Sequence, residues 1–380
     1  MQQIYLEKSL LPFIDKSQAF LFRHFVQKLA IWLDLCDPAR SFETKVPDRA
    51  GNCPILLNAI FALSSRHLGH INNDNPQTTW RTYLSASLSD FQKLWDNHDA
   101  AQEAVKDENL FAAIIILRVL EEMDAKDTGE DNRTHITGII KWVKEGDKAL
   151  ATGTLSAASF WVGLRQEIYS AVMTSETLRI SLHNDLTERS VSETDNYTWA
   201  NRAVVHCAEV LNFCFDTNAA ARTEDRWHQL SQDGRNWEEK LPASCKPYFV
   251  ETDDTKVFPN IWYRESCAVI GKQHHLLAEL FLTHHNPTLS ETTKKAGSHQ
   301  LIQDCILPLV RQVCGIGLSN EWTPPSMFTA CMVIEAFGDR FDRREDQEAM
   351  LEILEKTETD HLRPTQKTQQ KMKLAWKWDG

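Results

Sequence analysis

The feature that most constrains this chain is an apolar run from Leu110 to Leu120, in which Arg118 is the single charged residue. A helix of this composition has no face left for water, so it must cross a membrane or lie inside a large core. A membrane-spanning helix needs about 20 apolar residues, and this run has 11. The run therefore predicts a central helix, over Asp107 to Asp124, around which other helices pack.

The two ends of this predicted helix carry the polar groups that it needs. Asp107 precedes the apolar run and is expected to accept hydrogen bonds from the N–H groups of the first turn. Arg118 has to enter the core, where an unpaired guanidinium would be costly. Glu121 and Glu122 follow three and four positions later, within reach on the same helix face. We therefore expect Arg118 to pair with one of them as a structural anchor.

Apolar residues at helical spacing recur along the whole chain and predict an all-α fold. Glycine is scarce, at 14 of 380 residues, whereas an average chain has about 7%. We expect an irregular multi-helix bundle of about ten helices with no significant sheet. Besides the central helix, the clearest predicted spans are Ser17–Leu35, Pro54–Gly69, Trp80–Trp95, Ser156–Ser175, Trp199–Phe215, Phe258–His285, Gln300–Cys314, Met327–Phe337, Arg344–Thr357 and Pro364–Trp376.

No low-complexity linker divides the chain into independent parts. We expect an N-terminal helix and connection over residues 1–47, followed by one large domain over residues 48–380. The polar stretches 183–197 and 286–298 are predicted to be the most mobile loops. Because loops are free of packing constraints, they are also where a regulatory surface is expected.

Charge and cysteine content indicate the environment of the chain. It has 53 acidic and 41 basic residues, a formal charge of −12, which disfavours direct binding to a nucleic-acid backbone. The first residues lack the basic and apolar segments of a signal peptide, and no apolar run approaches membrane-spanning length. The nine cysteines are then expected to be reduced and buried. We expect an intracellular protein with no membrane contact and no direct nucleic-acid contact.

Glycine and carboxylate motifs do not support a cofactor site. Gly271-Lys272 lacks the upstream glycine of a phosphate-binding loop, and Gly315-Ile316-Gly317 is not followed by the third glycine of a dinucleotide-binding loop. Glu121, Glu122 and Asp124 are the best candidates for a magnesium site. No second matching set of carboxylates occurs in the chain, so an ion pair with Arg118 is the preferred interpretation.

Histidine and cysteine spacing does not support a metal site either. Adjacent histidines such as His274 and His275 point about 100° apart on a helix and cannot chelate one ion as neighbours. His275 and Glu279 share a face, for which a satisfied polar contact is the preferred interpretation. Cys207 and Cys214 lack the paired C-x-x-C spacing of zinc sites. We therefore predict no catalytic residue, no metal and no cofactor.

Several segments resemble, in chain order, the blocks of one known family. The first is Cys53 to His67 (CPILLNAIFALSSRH), and the second is the central segment Asp107 to Asp124. The further blocks are 159–169, 199–204, 258–262, 314–320, 323–328 and 338–341. Together they are similar to the fungal-specific transcription factor domain, which is the regulatory part of zinc binuclear-cluster (six-cysteine) factors. The resemblance covers about Asp48 to Trp378.

The chain departs from this family in one respect. Such factors carry a C-x2-C-x6-C pattern near the N-terminus that binds two zinc ions and contacts DNA, whereas this sequence has no such spacing and its first cysteine is Cys36. The chain is then a stand-alone regulatory module, the product of a truncated gene model whose zinc cluster lies upstream, or a relative that no longer contacts DNA. For a chain without the cluster, the resemblance implies a helical regulator that acts in the nucleus through a DNA-binding transcription factor or a homodimer partner. Without import by a partner, it would be located in the cytoplasm.

The same resemblance implies a small-molecule inducer and control of a metabolic or secondary-metabolite gene cluster. If an inducer binds, Arg118, Glu121 and Glu122 are the candidate ligand-binding residues. The alternative is an enzyme or ligand carrier of fungal specialised metabolism built on the same all-α scaffold. Turnover of a pathway intermediate would favour that alternative, and saturable binding without chemical change would favour the regulator.

Overall fold

The computed structural model describes residues 5–71, 77–96, 101, 104–128, 135, 138–140, 143, 152–182, 186–187, 190, 192–253, 256–287 and 305–378. These residues form fourteen α-helices and one two-stranded sheet. The predicted all-α class is thus confirmed, with more helices than the ten or so expected. The chain divides into two compact units, Met1–Gly163 with Ile180–Leu186, and Leu164–Arg179 with Thr187–Gly380.

The first unit contains six complete helices and the beginning of a seventh. They are α1 (Lys16–His24), α2 (Ala30–Leu33), α3 (Lys45–Ala50), α4 (Pro54–Ile71), α5 (Gln77–Trp95), α6 (Glu108–Thr128) and α7 (Leu155–Thr174). The predicted helix Ser17–Leu35 is interrupted, because a π-helical turn over Phe25–Leu29 separates α1 from α2. The expected domain boundary between residues 47 and 48 lies within α3 and stays a prediction.

Helix α6 is the predicted central helix. Every residue from Leu110 to Leu120 is buried except Val119, which is half-buried. The Asp107 carboxylate accepts hydrogen bonds from the backbone N–H groups of Asn109, at 2.9 Å, and Leu110, at 3.2 Å. Helix α4 packs along α6, and α5 packs along α4. The predicted burial and the predicted cap are both confirmed.

The second unit contains the remaining helices and the sheet. After the end of α7 come α8 (Asn196–Phe215), α9 (Glu224–Glu239), α10 (Ser266–His284), α11 (Leu307–Ser319), α12 (Pro325–Phe337), α13 (Arg344–His361) and α14 (Gln366–Ala375). Helices α8 and α10 form the largest contact in this unit. Gly271 permits their close approach, since a Cβ atom there would lie 3.0 Å from the Ala200 Cα.

Strands β1 (Phe249–Glu251) and β2 (Asn260–Trp262) form an antiparallel sheet in this unit. The prediction that a helix starts at Phe258 was therefore wrong. Residues 260–262 pair with β1 instead, and α10 begins only at Ser266. Backbone pairing with a strand that ends nine positions earlier outweighs the local apolar spacing that suggested a helix.

Helix α9 was not predicted. Its sequence is strongly polar, and only Leu230, Gly234 and Trp237 are buried. Three buried positions give a weak periodic signal, although Thr223 does accept a hydrogen bond from the Arg226 N–H as a helix cap. This helix depends on packing against α8 and α10, which the local sequence does not reveal.

Three expectations concern residues that lie partly outside the described part of the chain. They are the loops 183–197 and 286–298, and the first residues of the helix predicted from Gln300. The loop assignments stay predictions, whereas the helix is observed from Leu307 onward as α11. In the described ranges, no helix combines the length and apolar character that a bilayer span requires.

Candidate functional site

The three candidate residues of the central helix form one buried ionic cluster. The Arg118 side chain is fully buried, and its Nη1 lies 3.0 Å from Glu121 Oε2. Its Nη2 lies 3.3 Å from Glu122 Oε1, and the Glu122 side chain is only 3% exposed. These contacts follow from helix geometry, which brings residues three and four positions apart onto one face. The guanidinium therefore pairs with both glutamates, where one was expected.

A fourth member of this cluster, His135, was missed by sequence reasoning. Its Nδ1 lies 3.2 Å from Glu121 Oε2, and its backbone N–H donates a hydrogen bond to the same oxygen at 3.2 Å. The Glu121 carboxylate is therefore shared between the Arg118 guanidinium and a residue from outside α6. His135 lies fourteen positions from Glu121, so no helical spacing could have indicated the contact.

The cluster is arranged for internal neutralisation of charge. A guanidinium between two carboxylates repels a cation. Glu121 accepts a hydrogen bond from Arg118, and Glu122 lies within ion-pair distance of the same guanidinium. The third carboxylate of the proposed magnesium set, Asp124, lies on the same helix. Among the residues that the structure describes, no group of three or more His, Cys, Asp or Glu side chains is placed to hold a metal ion. This geometry supports a structural anchor.

The adjacent histidines of α10 make unrelated contacts, as their spacing predicted. His274 Nδ1 lies 2.8 Å from the Ile270 carbonyl oxygen, to which it donates as N–H. The ring of His275 stacks on Trp237 with 4.7 Å between centroids, and its Nε2 lies 3.5 Å from Glu238 Oε2. The polar contact of His275 is therefore with α9, and the sequence had pointed to Glu279 on its own helix.

These two histidines predict a loss of stability in acid. Burial lowers the pKa of His274 to about 4 and that of His275 to about 3, while an unfolded histidine has a pKa of about 6.5. Below pH 6.5 the unfolded chain binds protons that the folded chain excludes. The free energy of unfolding is therefore highest above pH 6.5 and falls toward pH 4, by up to about 1.4 kcal/mol per pH unit for each histidine.

Urea unfolding at pH 7, 6 and 5 measures this dependence. We expect His274→Gln to make the free energy of unfolding depend less steeply on pH. The slope should fall by about 1.4 kcal/mol per pH unit, which corresponds to the uptake of one proton on unfolding. The matched control is His228→Gln, because His228 lies exposed on α9. If the free energy of unfolding changes with pH equally steeply in wild type and in His274→Gln, the prediction is contradicted.

The cysteines predict the thiol chemistry of the folded chain. All nine are free, eight are buried, and only Cys305 is exposed. Burial raises the pKa of Cys214 to about 12 and that of Cys207 far above its usual range. We therefore expect Ellman's reagent to modify one thiol rapidly in native protein, and Cys305→Ser to abolish that reaction.

We also expect elemental analysis of the purified protein to find no stoichiometric zinc. Several fast thiols, or a retained zinc ion, would contradict this assignment.

The comparisons with known proteins give one result for this chain. A family model described as the fungal specific transcription factor domain matches residues 20–379. No curated protein and no solved structure matches the chain significantly. The match includes the ionic cluster of α6 and the histidines of α10, so both belong to the part of the chain that the family model covers.

Proposed function

Since this chain belongs to the family of fungal-specific transcription factor domains, we propose that it regulates transcription through a DNA-binding partner in the nucleus. The observation that carries the proposal is the match over residues 20–379, which covers both compact units. The helical architecture, with one small sheet, fits a regulatory domain. The partner is proposed because the formal charge of −12 opposes direct binding to DNA phosphates.

Direct DNA binding is tested first, because it separates action through a partner from independent action. We expect the purified chain to bind random duplexes with a Kd no tighter than about 1 µM at physiological salt, as for non-specific contacts. Fluorescence anisotropy with labelled duplex pools measures this affinity. Nanomolar, sequence-selective binding would show that the chain needs no partner to reach DNA.

Transcriptional activity is tested by tethering. Residues 1–380 fused to an unrelated DNA-binding domain should raise or lower reporter output in a fungal host. The first control is the DNA-binding domain alone, at equal abundance. The second is the same fusion with Gly271→Val, because a side chain at this position collides with Ala200 and should disrupt the packing of α8 on α10.

Two results together would replace the proposal with the enzyme or ligand-carrier alternative. The first is a silent fusion at normal abundance. The second is a gene deletion that blocks one biosynthetic step without altering transcript levels.

We further propose that the domain responds to a small-molecule inducer and controls a metabolic or secondary-metabolite gene cluster. Arg118, Glu121 and Glu122 are the proposed ligand-binding residues, because an inducer carboxylate could replace a glutamate at the guanidinium. Transcript profiling of a deletion strain tests the gene set. For the site, loss of the inducer response in Arg118→Met with unchanged stability would support ligand binding over the anchor role.

A further inference from the structure

The small sheet of the second unit exposes a compact group of aromatic side chains. Tyr248, Phe249 and Trp262, here called the aromatic platform, are 63%, 38% and 41% exposed. The rings of Phe249 and Trp262 lie 4.5 Å apart, and those of Tyr248 and Trp262 lie 6.2 Å apart. Contiguous exposed apolar surface commonly marks an interaction site, and Trp and Tyr supply much of the binding energy at protein interfaces.

The platform is held rigidly from behind by the end of α11. Ser319 Oγ accepts a hydrogen bond from the Ile261 N–H at 3.1 Å. The Asn320 amide donates to the Ile261 carbonyl at 2.8 Å and accepts from the Tyr263 N–H at 3.1 Å. Strand β2 is therefore fixed before any partner arrives, which reduces the ordering cost of binding.

The same hydrogen bonds show that the outer edge of β1 is open. The N–H and C=O of Ile261 point toward α11 and thus away from β1. In an antiparallel ladder, two directly opposite residues either exchange both hydrogen bonds or point both groups outward. Val250 is directly opposite Ile261, so its N–H and C=O also point outward. In the described part of the chain, no group pairs with them on that side.

The open edge of β1 and the adjacent aromatic platform together indicate which kind of molecule can bind there. An unpaired N–H and C=O bind the backbone of an extended segment, and neighbouring surface binds its alternate side chains. The one charged residue in the two strands, Glu251, already accepts hydrogen bonds from Lys256 at 2.9 Å and Asn260 at 2.6 Å. The segment therefore needs apolar side chains and no compensating charge.

A second copy of this chain is a poorer occupant. Strand β1 has three residues, so a dimer joined through it would bury less than the area of about 1,000 Å² that a stable dimer needs, whereas a transient contact with one extended segment needs less area. We propose that β1 is the docking edge for an extended segment of a partner protein. The segment adds as a third strand beside Val250 and places aromatic or large aliphatic side chains on the aromatic platform. This role goes beyond the proposed function and does not depend on it.

The test uses the full chain and a library of random dodecapeptides displayed on phage, depleted first on the Val250→Pro variant. Proline removes the edge N–H, and edge strands tolerate it. We expect enriched peptides with alternating large apolar residues. In anisotropy measurements with the labelled synthetic peptide, Val250→Pro and Phe249→Ser should each weaken binding at least tenfold. The matched control is Leu374→Ser, at an exposed position on α14, which should leave the affinity unchanged.

A chemical control keeps the test valid even if Val250→Pro does not fold. N-methylation of alternate peptide amides removes the donors that face β1, and it should also reduce affinity at least tenfold for the wild-type chain. The proposal is overturned if no peptide is enriched, or if both the Phe249→Ser change and N-methylation leave binding intact. It is also overturned if sedimentation shows a wild-type dimer that Phe249→Ser dissociates, because the occupant is then a second copy.

Discussion

Replacing Arg118 with methionine is expected to destabilise the first unit by about 3–5 kcal/mol, the usual cost of removing one partner of a buried ion pair. The change leaves the buried Glu122 and the nearly buried Glu121 without the guanidinium that lies 3.0 to 3.3 Å away. In a unit of this size, each kcal/mol lowers the melting temperature by roughly 2–4 °C. Differential scanning calorimetry should therefore show a decrease of about 10 °C.

The matched control for this change is a surface ion pair of the same spacing. Lys93 and Asp90 are 2.7 Å apart, with side chains 56% and 34% exposed, so Lys93→Met should cost no more than about 1 kcal/mol. Glu122→Gln alone should also lower the melting temperature. Replacing Arg118 and Glu122 together with apolar residues should recover part of the loss, because fewer uncompensated buried charges remain. An unchanged melting temperature in Arg118→Met would disprove the anchor role.

Gly315→Ala is expected to destabilise the second unit by about 2 kcal/mol, the upper end of the overpacking cost less the gain in helix propensity. A Cβ atom at this position of α11 would overlap the Pro259 carbonyl oxygen and lie 2.9 Å from the Pro259 Cδ. The overlap is with backbone, so rotation of a side chain cannot relieve it. Overpacking costs about 1–3 kcal/mol or more, and the better helix propensity of alanine returns only about 1 kcal/mol. Urea unfolding measures the difference.

Gly317→Ala in the same helix is the matched control. There a Cβ atom would lie 3.3 Å from the Ala330 Cβ and from the Ser326 carbonyl oxygen, and the gain in helix propensity is identical. We expect its stability to remain within about 1 kcal/mol of wild type. Hydrogen exchange should speed up at residues 259–263 in Gly315→Ala alone. Equal behaviour of the two variants would show that the approach of Pro259 does not limit this position.

The packing around these two glycines also gives a structural reason for a sequence motif to which the sequence alone assigned no role. Gly315-Ile316-Gly317 has the spacing that begins a dinucleotide-binding loop, yet both glycines lie inside α11. Gly315 is needed because the segment before β2 passes against the helix. Only the tertiary structure supplies this reason, since the two segments are more than fifty positions apart in the chain.

The sequence by itself determined the features that depend on residues close together in the chain. The burial of α6 followed from an apolar run with no polar face, and its cap followed from Asp107. The pairing of Arg118 with one of the two glutamates, Glu121 or Glu122, followed from three- and four-residue spacing, and the structure adds the second pairing. Each of these depends on the fixed geometry of a helix, so it can be derived before the fold is known.

Only the tertiary structure decided the features that join distant segments. His135 reaches Glu121 from outside α6, and Asn320 fixes β2 from the end of α11. Helix α9 is polar and persists through packing of three buried residues, and the strand at 260–262 replaced the beginning of a predicted helix. The physical reason is that hydrogen bonds and close packing between distant segments depend on their three-dimensional approach, which no local periodicity encodes.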